Sequence, residues 1–237
     1  MGLKDGDIVL MHSSMKALGT NKTPREFLGG ITAVLGPEGT LLVPALSYDY
    51  VTSEQPWFSA AKTEPCIGLI PRTFFHMEGV FRSVHPTHSV CAFGKYATEI
   101  TSLHHIDETP VGPNSPFMKL PDYRGKILFV GDTLRCCTFM HGIEEIAGAP
   151  YTLKKERTRY VIEDEKGAVT ERYMIGHDFA GWKQEYQKIK DILCYPDINA
   201  GKVGQADCFL IDAAALKEVA LKKFREDIFY FVSKTTT

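Results

Sequence analysis

Three short apolar runs recur along the chain, and helical patterns or loops separate them. They are DIVLM at 7–11, LLVPAL at 41–46 and KILFV at 126–130. Apolar runs of this length, bounded by turn residues, are typical of buried strands. Because helical segments alternate with the strands, the sequence predicts a mixed α/β fold whose sheet is covered by helices. Pro44 lacks a backbone N–H, so it favours an edge position or a bulge for the second strand.

The segment Thr23-Pro24-Arg25-Glu26 marks the start of a helix. Threonine suits the N-cap, proline the first helical position, and glutamate the third, where its carboxylate can cap the backbone in return. This helix is predicted to end at Leu35, before Gly36. Further along, residues 158–174 alternate in polarity and predict a hairpin that turns at 165–167, so part of the sheet should be antiparallel.

Length and charge limit the classes of protein to which the chain can belong. A chain of 237 residues, 44% of them hydrophobic, is long enough for one large core, and we expect a single domain over 1–237. The net charge of −2 predicts no nucleic-acid partner and no anionic membrane. The start, MGLKDGDIVL, lacks the basic end of a signal peptide, and no run approaches the ~20 apolar residues of a membrane span. We therefore expect a cytoplasmic protein whose six cysteines, none in a C-x-x-C pair, are reduced.

The strongest chemical signal is TFMHGIEE at 138–145, shortly after the third apolar run. Thr138 is the expected N-cap, which places His141 in the first helical turn and Glu144 three residues later on the same face. A carboxylate beside one ring nitrogen fixes the tautomer and stabilises the imidazolium, so such a pair can act as a general base. The same spacing also fits a partly buried helix histidine that only pairs with a glutamate, and spacing alone leaves both interpretations open.

A second polar segment, RSVHPTH at 82–88, places Arg82, His85 and His88 just before an apolar run. This pattern fits a metal site, a ligand-binding loop or a polar strand edge. The chain has no H-E-x-x-H or C-x-x-C motif, which favours a protein without a bound metal. A metal-dependent hydrolase built on His85, His88 and His104 remains as an alternative.

Six segments occur in an order that resembles one known family. They are VLMHSSMKALG, GTLLVPAL, IGLIPRTF…GVFRSVHPTHSVCAFGKYA, SPFMKL…GKILFVG, TFMHGIEE and GHDF…GKVGQADCFLIDAAAL. Together, over residues 7–225, they resemble the aminoglycoside 3-N-acetyltransferases, a family of antibiotic N-acetyltransferases. The resemblance implies a single α/β/α sandwich with a mixed sheet, distinct from the common GNAT acetyltransferase fold. It also implies antibiotic resistance by acetyl transfer from acetyl-CoA to an amine of an aminoglycoside or another amino sugar, without a metal.

The resemblance further implies roles for individual residues. The catalytic pair is His141 and Glu144, and the acetyl-CoA site is formed by Ser13, Ser14, Arg82, Ser83 and Thr138. The acceptor site is assigned to His85, Asp107 and Glu108, whereas His88 is assigned to local structure. The predicted reaction is direct transfer to a small-molecule amine. The oligomeric state is left undecided, with a homodimer as one possibility. The alternatives are a catalytically inactive homologue that binds coenzyme A or a sugar, and the metal-dependent hydrolase.

Overall fold

The computed structural model describes residues 1–131 and 133–235. Within these ranges the strands are β1 (Ile8–Ser13), β2 (Thr40–Pro44), β3 (Trp57–Ser59), β4 (Phe81–Arg82), β5 (Val90–Gly94), β6 (Lys126–Val130), β7 (Leu153–Glu163), β8 (Val169–His177), β9 (Trp182–Gln184), β10 (Ile198–Val203), β11 (Ala206–Asp212) and β12 (Val232–Lys234). The helices are α1 (Met15–Leu18), α2 (Pro24–Leu35), α3 (Leu69–Phe75), α4 (Ala97–Thr101), α5 (Pro116–Lys119), α6 (Thr138–Ala147), α7 (Ile189–Ile192) and α8 (Ala213–Glu226). Short 3-10 helices cover His104–Ile106, Leu120–Tyr123, Leu134–Cys136 and Tyr186–Lys188. In this described part of the chain, every helix is too short or too polar to cross a membrane.

A seven-stranded mixed sheet forms the centre of the molecule, in the order β10-β11-β6-β1-β2-β5-β4. Strand β1 runs parallel to β2 and to β6, and the remaining four strands are added antiparallel at the two sides. The predicted mixed sheet is thus confirmed. The β7–β8 hairpin is also present, but it pairs with β3 in a separate three-stranded sheet, so the main sheet takes its antiparallel strands from elsewhere. Strands β9 and β12 form a further antiparallel pair.

Helices cover both faces of the central sheet. Along β1, Ile8 and Leu10 belong to the core on one face, while Val9 and Met11 belong to the core on the other. Helices α4, α5, α6 and α8 pack on the first face, and α2 and α3 pack on the second, which makes a three-layer α/β/α sandwich. The first core includes Phe231 as well as Ile8, so residues near both ends of the chain share one interior.

Helix α2 has the bounds that the sequence predicts. The Thr23 hydroxyl oxygen accepts from the Glu26 N–H at 3.2 Å, and Glu26 Oε2 accepts from the Thr23 N–H at 2.7 Å, which completes a capping box. The interpretation of Pro44 is wrong, because β2 lies between β1 and β5 and has no open edge. Pro44 is instead the last residue of the strand, beyond Leu42, where the pairing with β1 ends.

The parallel strands β2, β1 and β6 end at the same edge of the sheet, where Ser13 of β1 lies opposite Val130 of β6. From β1 the chain passes through α2 on one face to reach β2, whereas α6, which follows β6, packs on the other face. Connections that diverge from neighbouring strands in this way leave a crevice outside the carboxyl ends of the strands. The topology therefore predicts a binding site at this edge.

Candidate active site

A cavity of about 670 Å³ occupies this crevice. Its walls come from the ends of β1 and β2, the turn before α6, the start of α6, the β7–β8 hairpin and β9. Small-molecule sites commonly enclose about 300–1,000 Å³, so the cavity has room for a small ligand. Among the residues that the sequence predicts for the site, Ser13, Thr138 and His141 line this cavity.

His141 and Glu144 form the pair that their helical spacing predicts. Nδ1 of His141 lies 3.2 Å from Oε2 of Glu144 and 2.8 Å from the hydroxyl oxygen of Tyr186. That hydroxyl donates to the same Oε2 at 2.7 Å, and the hydroxyl of Tyr151 donates to Oε1 at 3.3 Å. The Glu144 side chain is fully buried, whereas that of His141 is 17% exposed and lines the cavity. A buried carboxylate with two phenol donors therefore holds a cavity-facing imidazole.

These hydrogen bonds determine which nitrogen of His141 carries a proton. Burial, followed by the nearby Glu144, raises the pKa of Tyr186 well above its ordinary value, so the phenol stays protonated. It therefore acts as the donor in its hydrogen bond to Glu144. The phenol oxygen and Glu144 Oε2 can then both accept from a proton on His141 Nδ1. This leaves a lone pair on Nε2 of an imidazole that lines the cavity, which is what a general base requires.

The helix that carries this pair begins one residue earlier than predicted. Thr138 is its first residue and Cys137 occupies the cap position without a side-chain cap hydrogen bond, so the expected N-cap role of Thr138 is wrong. Thr138 and His141 remain three residues apart, and both side chains reach the cavity from the same helix face.

Two contacts fix the position of α6 against the segment 111–118. At Gly142, a Cβ atom would lie 2.6 Å from the sulfur of Met118 and 2.7 Å from Cγ1 of Val111, so the helix approaches as closely as only glycine allows. The Val111 N–H donates to Oε1 of Glu145 at 2.9 Å. Packing and hydrogen bonding thus determine both the depth and the rotation of the helix.

Ser13 and Ser14 point in different directions, because successive side chains alternate at the end of a strand. Ser13 lines the cavity. The hydroxyl oxygen of Ser14 instead accepts from the Ala17 N–H at 3.4 Å and caps α1. Of the two serines predicted to bind the donor, the structure brings only Ser13 to the cavity.

Arg82 and Ser83 do not line this cavity, contrary to the expectation that they bind the donor. The nitrogens of Arg82 donate to Ser89 Oγ (2.8 Å) and to the carbonyls of Ala45 (3.0 Å), Ala60 (3.4 Å) and Thr63. The guanidinium carbon lies 4.9 Å from the ring centroids of both Phe58 and Phe75, and burial lowers the pKa of Arg82 to about 10. Ser83 accepts from the Val90 N–H at 2.9 Å and bonds to Nδ1 of His104 at 2.9 Å. Other groups of the protein satisfy the hydrogen-bonding capacity of both side chains, so we assign Arg82 and Ser83 to the scaffold.

The three residues predicted for the acceptor also lie outside the cavity lining. His85 is buried behind it, where its Nδ1 accepts the N–H groups of Thr87 (3.3 Å) and His88 (3.0 Å). The carboxylate of Asp107 accepts from the Asn114 N–H at 3.0 Å and from its side-chain amide at 2.8 Å. Glu108 forms an exposed ion pair with Arg157 at 2.6 Å. Each of the three has a local structural partner, so the expected acceptor site does not form.

Three further histidines, His12, His88 and His177, line the cavity. His12 stacks on Phe129 with 5.2 Å between ring centroids, and burial lowers its pKa to about 3. The rings of His88 and His177 lie 6.5 and 5.0 Å from that of His141. His88 thus borders the cavity, while its Nδ1 lies 2.9 Å from Oγ1 of the neighbouring Thr87, a local contact of the kind predicted for it. The position of His12 at the cavity could have been predicted from the sequence, because it lies beside Ser13 at the end of a buried strand. The position of His177 could not, because it depends on how the β7–β8 hairpin packs.

The three histidines of the alternative metal site are not arranged to share an ion. His104 bonds to Ser83 through Nδ1 and to the Pro110 carbonyl through Nε2 at 3.2 Å, and its ring stacks on that of His85 at 4.8 Å. Over residues 1–131 and 133–235, no group of three or more His, Cys, Asp or Glu side chains is placed to hold a metal ion. The arrangement of these histidines therefore does not fit the metal site of the alternative hydrolase.

Fold and cleft together define a three-layer α/β/α protein with an imidazole–carboxylate pair at the ends of its parallel strands. Residues 10–225 match the sequence pattern of the family described as "Aminoglycoside 3-N-acetyltransferase". The chain belongs to this family, as its six ordered segments predict.

Individual relatives agree with this assignment. Aminoglycoside N(3)-acetyltransferase VII of Streptomyces paromomycinus is 34% identical over an alignment 168 residues long, gaps included, and the alignment covers 63% of this chain and 58% of the relative's own length. Aminoglycoside N(3)-acetyltransferase IX of Micromonospora chalcea is 27% identical over an alignment 255 residues long, gaps included, and the alignment covers 93% of this chain and 88% of that protein. The crystal structure of aminoglycoside acetyltransferase AAC(3)-Xa superposes with a TM-score of 0.83 and 26% identity, covering 95% of this chain and 88% of that one.

Proposed function

We propose that the chain transfers an acetyl group from acetyl-CoA to an amine of an aminoglycoside or another amino sugar. One observation carries the proposal, namely the imidazole of His141, which lines the cavity while Glu144 and Tyr186 hold its Nδ1. Family membership supplies the reaction class, and coenzyme A as the carrier of the acetyl group is supported by the structural relative described as "AAC-IIIb binary with CoASH". A coenzyme A donor also fits the cytoplasmic location that six free cysteines favour.

In the proposed reaction, Nε2 of His141 takes a proton from the acceptor amine while the amine lone pair forms a bond to the thioester carbonyl carbon. The carbonyl oxygen becomes an oxyanion, and its collapse breaks the C–S bond. The departing sulfur takes the proton from Nε2 of His141, so coenzyme A leaves as the thiol and the base is restored. Glu144 stabilises the imidazolium, and Tyr186 holds the carboxylate in place. A general base of this kind contributes about 10²–10⁴-fold to the rate.

The cavity offers groups for the donor and for the developing oxyanion. Thr138 lies one helical turn before His141 on the same wall, and we assign its hydroxyl to the oxyanion. Ser13, at the end of β1, faces the same space and is assigned to the donor. Direct transfer is favoured over a covalent intermediate on Cys137, because burial raises the pKa of that thiol to about 12 and keeps it protonated.

The experiment is a thiol-release assay with acetyl-CoA and a panel of amines, namely gentamicin, kanamycin and glucosamine. We expect thiol release that requires both the enzyme and an amine, with an acetylated amine detected by mass spectrometry. A folded protein whose melting temperature rises with acetyl-CoA, but which acetylates no amine of the panel, would instead support the inactive homologue. A protein that shows neither activity nor a shift in melting temperature would contradict the donor assignment.

A further inference from the structure

A second histidine–glutamate pair lies beside the first one. His177, the last residue of β8, places Nε2 2.8 Å from Oε1 of Glu145, and each side chain is only 7% exposed. Glu145 directly follows Glu144 on α6, so one helix supplies a carboxylate to each of two neighbouring imidazoles. The ring centroids of His141 and His177 are 5.0 Å apart, and both rings contact Phe179 and line the same cavity.

The hydrogen bonds of this second pair determine its tautomer. Oε1 of Glu145 already accepts the Val111 N–H at 2.9 Å, so it acts as an acceptor toward His177 as well. The His177 proton therefore lies on Nε2, and Nδ1 carries a lone pair. Burial, followed by the neighbouring imidazole of His141, lowers the pKa of His177 well below its ordinary value, so the ring is neutral. His177 thus presents an uncharged hydrogen-bond acceptor.

In the described structure, Nδ1 of His177 is buried and has no hydrogen-bond partner. Buried acceptors are rarely left unpaired in proteins, and an unpaired one beside a reactive group calls for a functional explanation. The bond from Nε2 to Glu145 would by itself suffice to tie the hairpin to α6. It does not account for a second, unpaired nitrogen in a ring that borders the cavity next to the base.

We propose that His177 is a second contact for the acceptor amine, whose N–H it accepts on Nδ1; this inference rests on the proposed acetyl transfer. A neutral amine has two N–H groups and one lone pair. If His141 Nε2 takes one proton and His177 Nδ1 accepts the other N–H, the lone pair is left to face the thioester carbon. The second N–H stays on nitrogen and becomes the N–H of the product amide, so His177 orients the nucleophile and transfers no proton.

Two substitutions separate the two nitrogens of His177. In His177→Gln, the side-chain amide can still donate to Glu145, but no atom replaces Nδ1. In His177→Asn, the shorter side chain can place an oxygen near the position of Nδ1, but it loses Glu145. His76→Gln is the matched control, because His76 forms an exposed pair with Glu64 at 2.6 Å and does not line the cavity.

The variants are compared by steady-state kinetics, with gentamicin or glucosamine varied at saturating acetyl-CoA, and by thermal unfolding. We expect His177→Gln to lower kcat/KM for the amine by about 10- to 100-fold, with an unchanged KM for acetyl-CoA and a melting temperature near that of the unsubstituted protein. His177→Asn should keep more activity than His177→Gln although it melts earlier. His76→Gln should match the unsubstituted protein in both measurements.

Wild-type kinetics in His177→Gln would show that His177 only ties the hairpin to the helix, and would overturn the inference. The same conclusion follows if activity in both variants falls in step with melting temperature. If the unsubstituted protein acetylates no amine at all, the proposed function itself fails, and that outcome is distinct from an active enzyme that does not need His177.

Discussion

The segments 138–145 and 82–88 both place histidines beside other polar side chains, and the fold uses the two segments in opposite ways. In the first, His141 and Thr138 reach into the cavity, while their backbone is held by the helix. In the second, the side chains of Arg82, Ser83 and His85 bond to backbone groups, and His88 is the residue that reaches the cavity. A helix satisfies its own backbone and frees its side chains for chemistry, whereas an extended loop in the interior needs side chains to satisfy its backbone.

The largest effect is expected when one histidine of each segment, His141 or His85, is replaced by alanine. His141→Ala should lower kcat by about 10²–10⁴-fold, because the base is lost, while the KM for acetyl-CoA changes little. His85→Ala should leave kcat near the wild-type value and lower the free energy of unfolding by about 1–3 kcal/mol, because the Thr87 and His88 N–H groups lose their acceptor. Kinetics and urea unfolding of both variants check the pair. An active His141→Ala enzyme would remove the basis for the proposed mechanism.

The next effect concerns Arg82, whose guanidinium serves several acceptors at once. Arg82→Lys should lower the free energy of unfolding by about 2–4 kcal/mol, since a single ammonium cannot reach oxygens that the planar guanidinium bridges. At a temperature where the variant is folded, kcat and the KM for acetyl-CoA should stay close to wild type. A large rise in that KM without loss of stability would instead return Arg82 to the donor site.

A smaller effect is expected from the pH dependence of stability. Burial lowers the pKa of His104 to about 3, whereas an unfolded histidine has a pKa of about 6.5, so below that pH the unfolded state binds a proton that the folded state does not. Stability should therefore fall as the pH drops below 6.5, by about 1.4 kcal/mol per pH unit for each such histidine. Urea unfolding of His104→Gln between pH 6.5 and 5 should show a slope reduced by that amount. An unchanged slope would mean that His104 titrates alike in both states.

The smallest effect is expected when the phenol of Tyr186 is removed, and comparing it with a change at Glu144 separates the roles of the two side chains. Tyr186→Phe removes the hydrogen bonds to Glu144 and to His141 but leaves the carboxylate in place, so kcat/KM should fall by about 3- to 10-fold. Glu144→Gln should cost more, because the imidazolium loses its opposite charge, and it should combine less than additively with His141→Ala. Steady-state kinetics of the single and double variants provide the comparison. A loss in Tyr186→Phe as large as in Glu144→Gln would assign the phenol a direct role in the reaction.

Local patterns in the sequence predict much of the frame. The capping box at Thr23 and the apolar run that becomes β6 each depend on neighbouring residues, and the structure has both at the predicted bounds. The pairing of His141 with Glu144 follows for the same reason, since helical spacing is a local property.

Long-range packing accounts for what the sequence did not reveal. The hairpin at 153–177 pairs with β3 rather than with the central sheet, and that choice carries His177 to the cavity. Likewise, nothing in the sequence indicates that Arg82 finds its acceptors at Ala45 and Thr63, which are distant along the chain. Residue type and spacing identify the polar side chains. They do not show which of these side chains face the cleft and which form hydrogen bonds within the scaffold.

The close approach of α6 at Gly142 has a consequence for protein engineering. Both glutamates, His141 and Thr138 are carried by this one helix, so a side chain at position 142 that pushes the helix off Val111 would displace them together. A library aimed at new acceptors should hold position 142 constant and diversify the opposite wall, for example at Lys154, Thr158 and Tyr160 on β7. That wall comes from a separate sheet, so substitutions at these three positions leave the His141–Glu144 pair on α6 in place, provided that His177 on the adjoining strand β8 is kept.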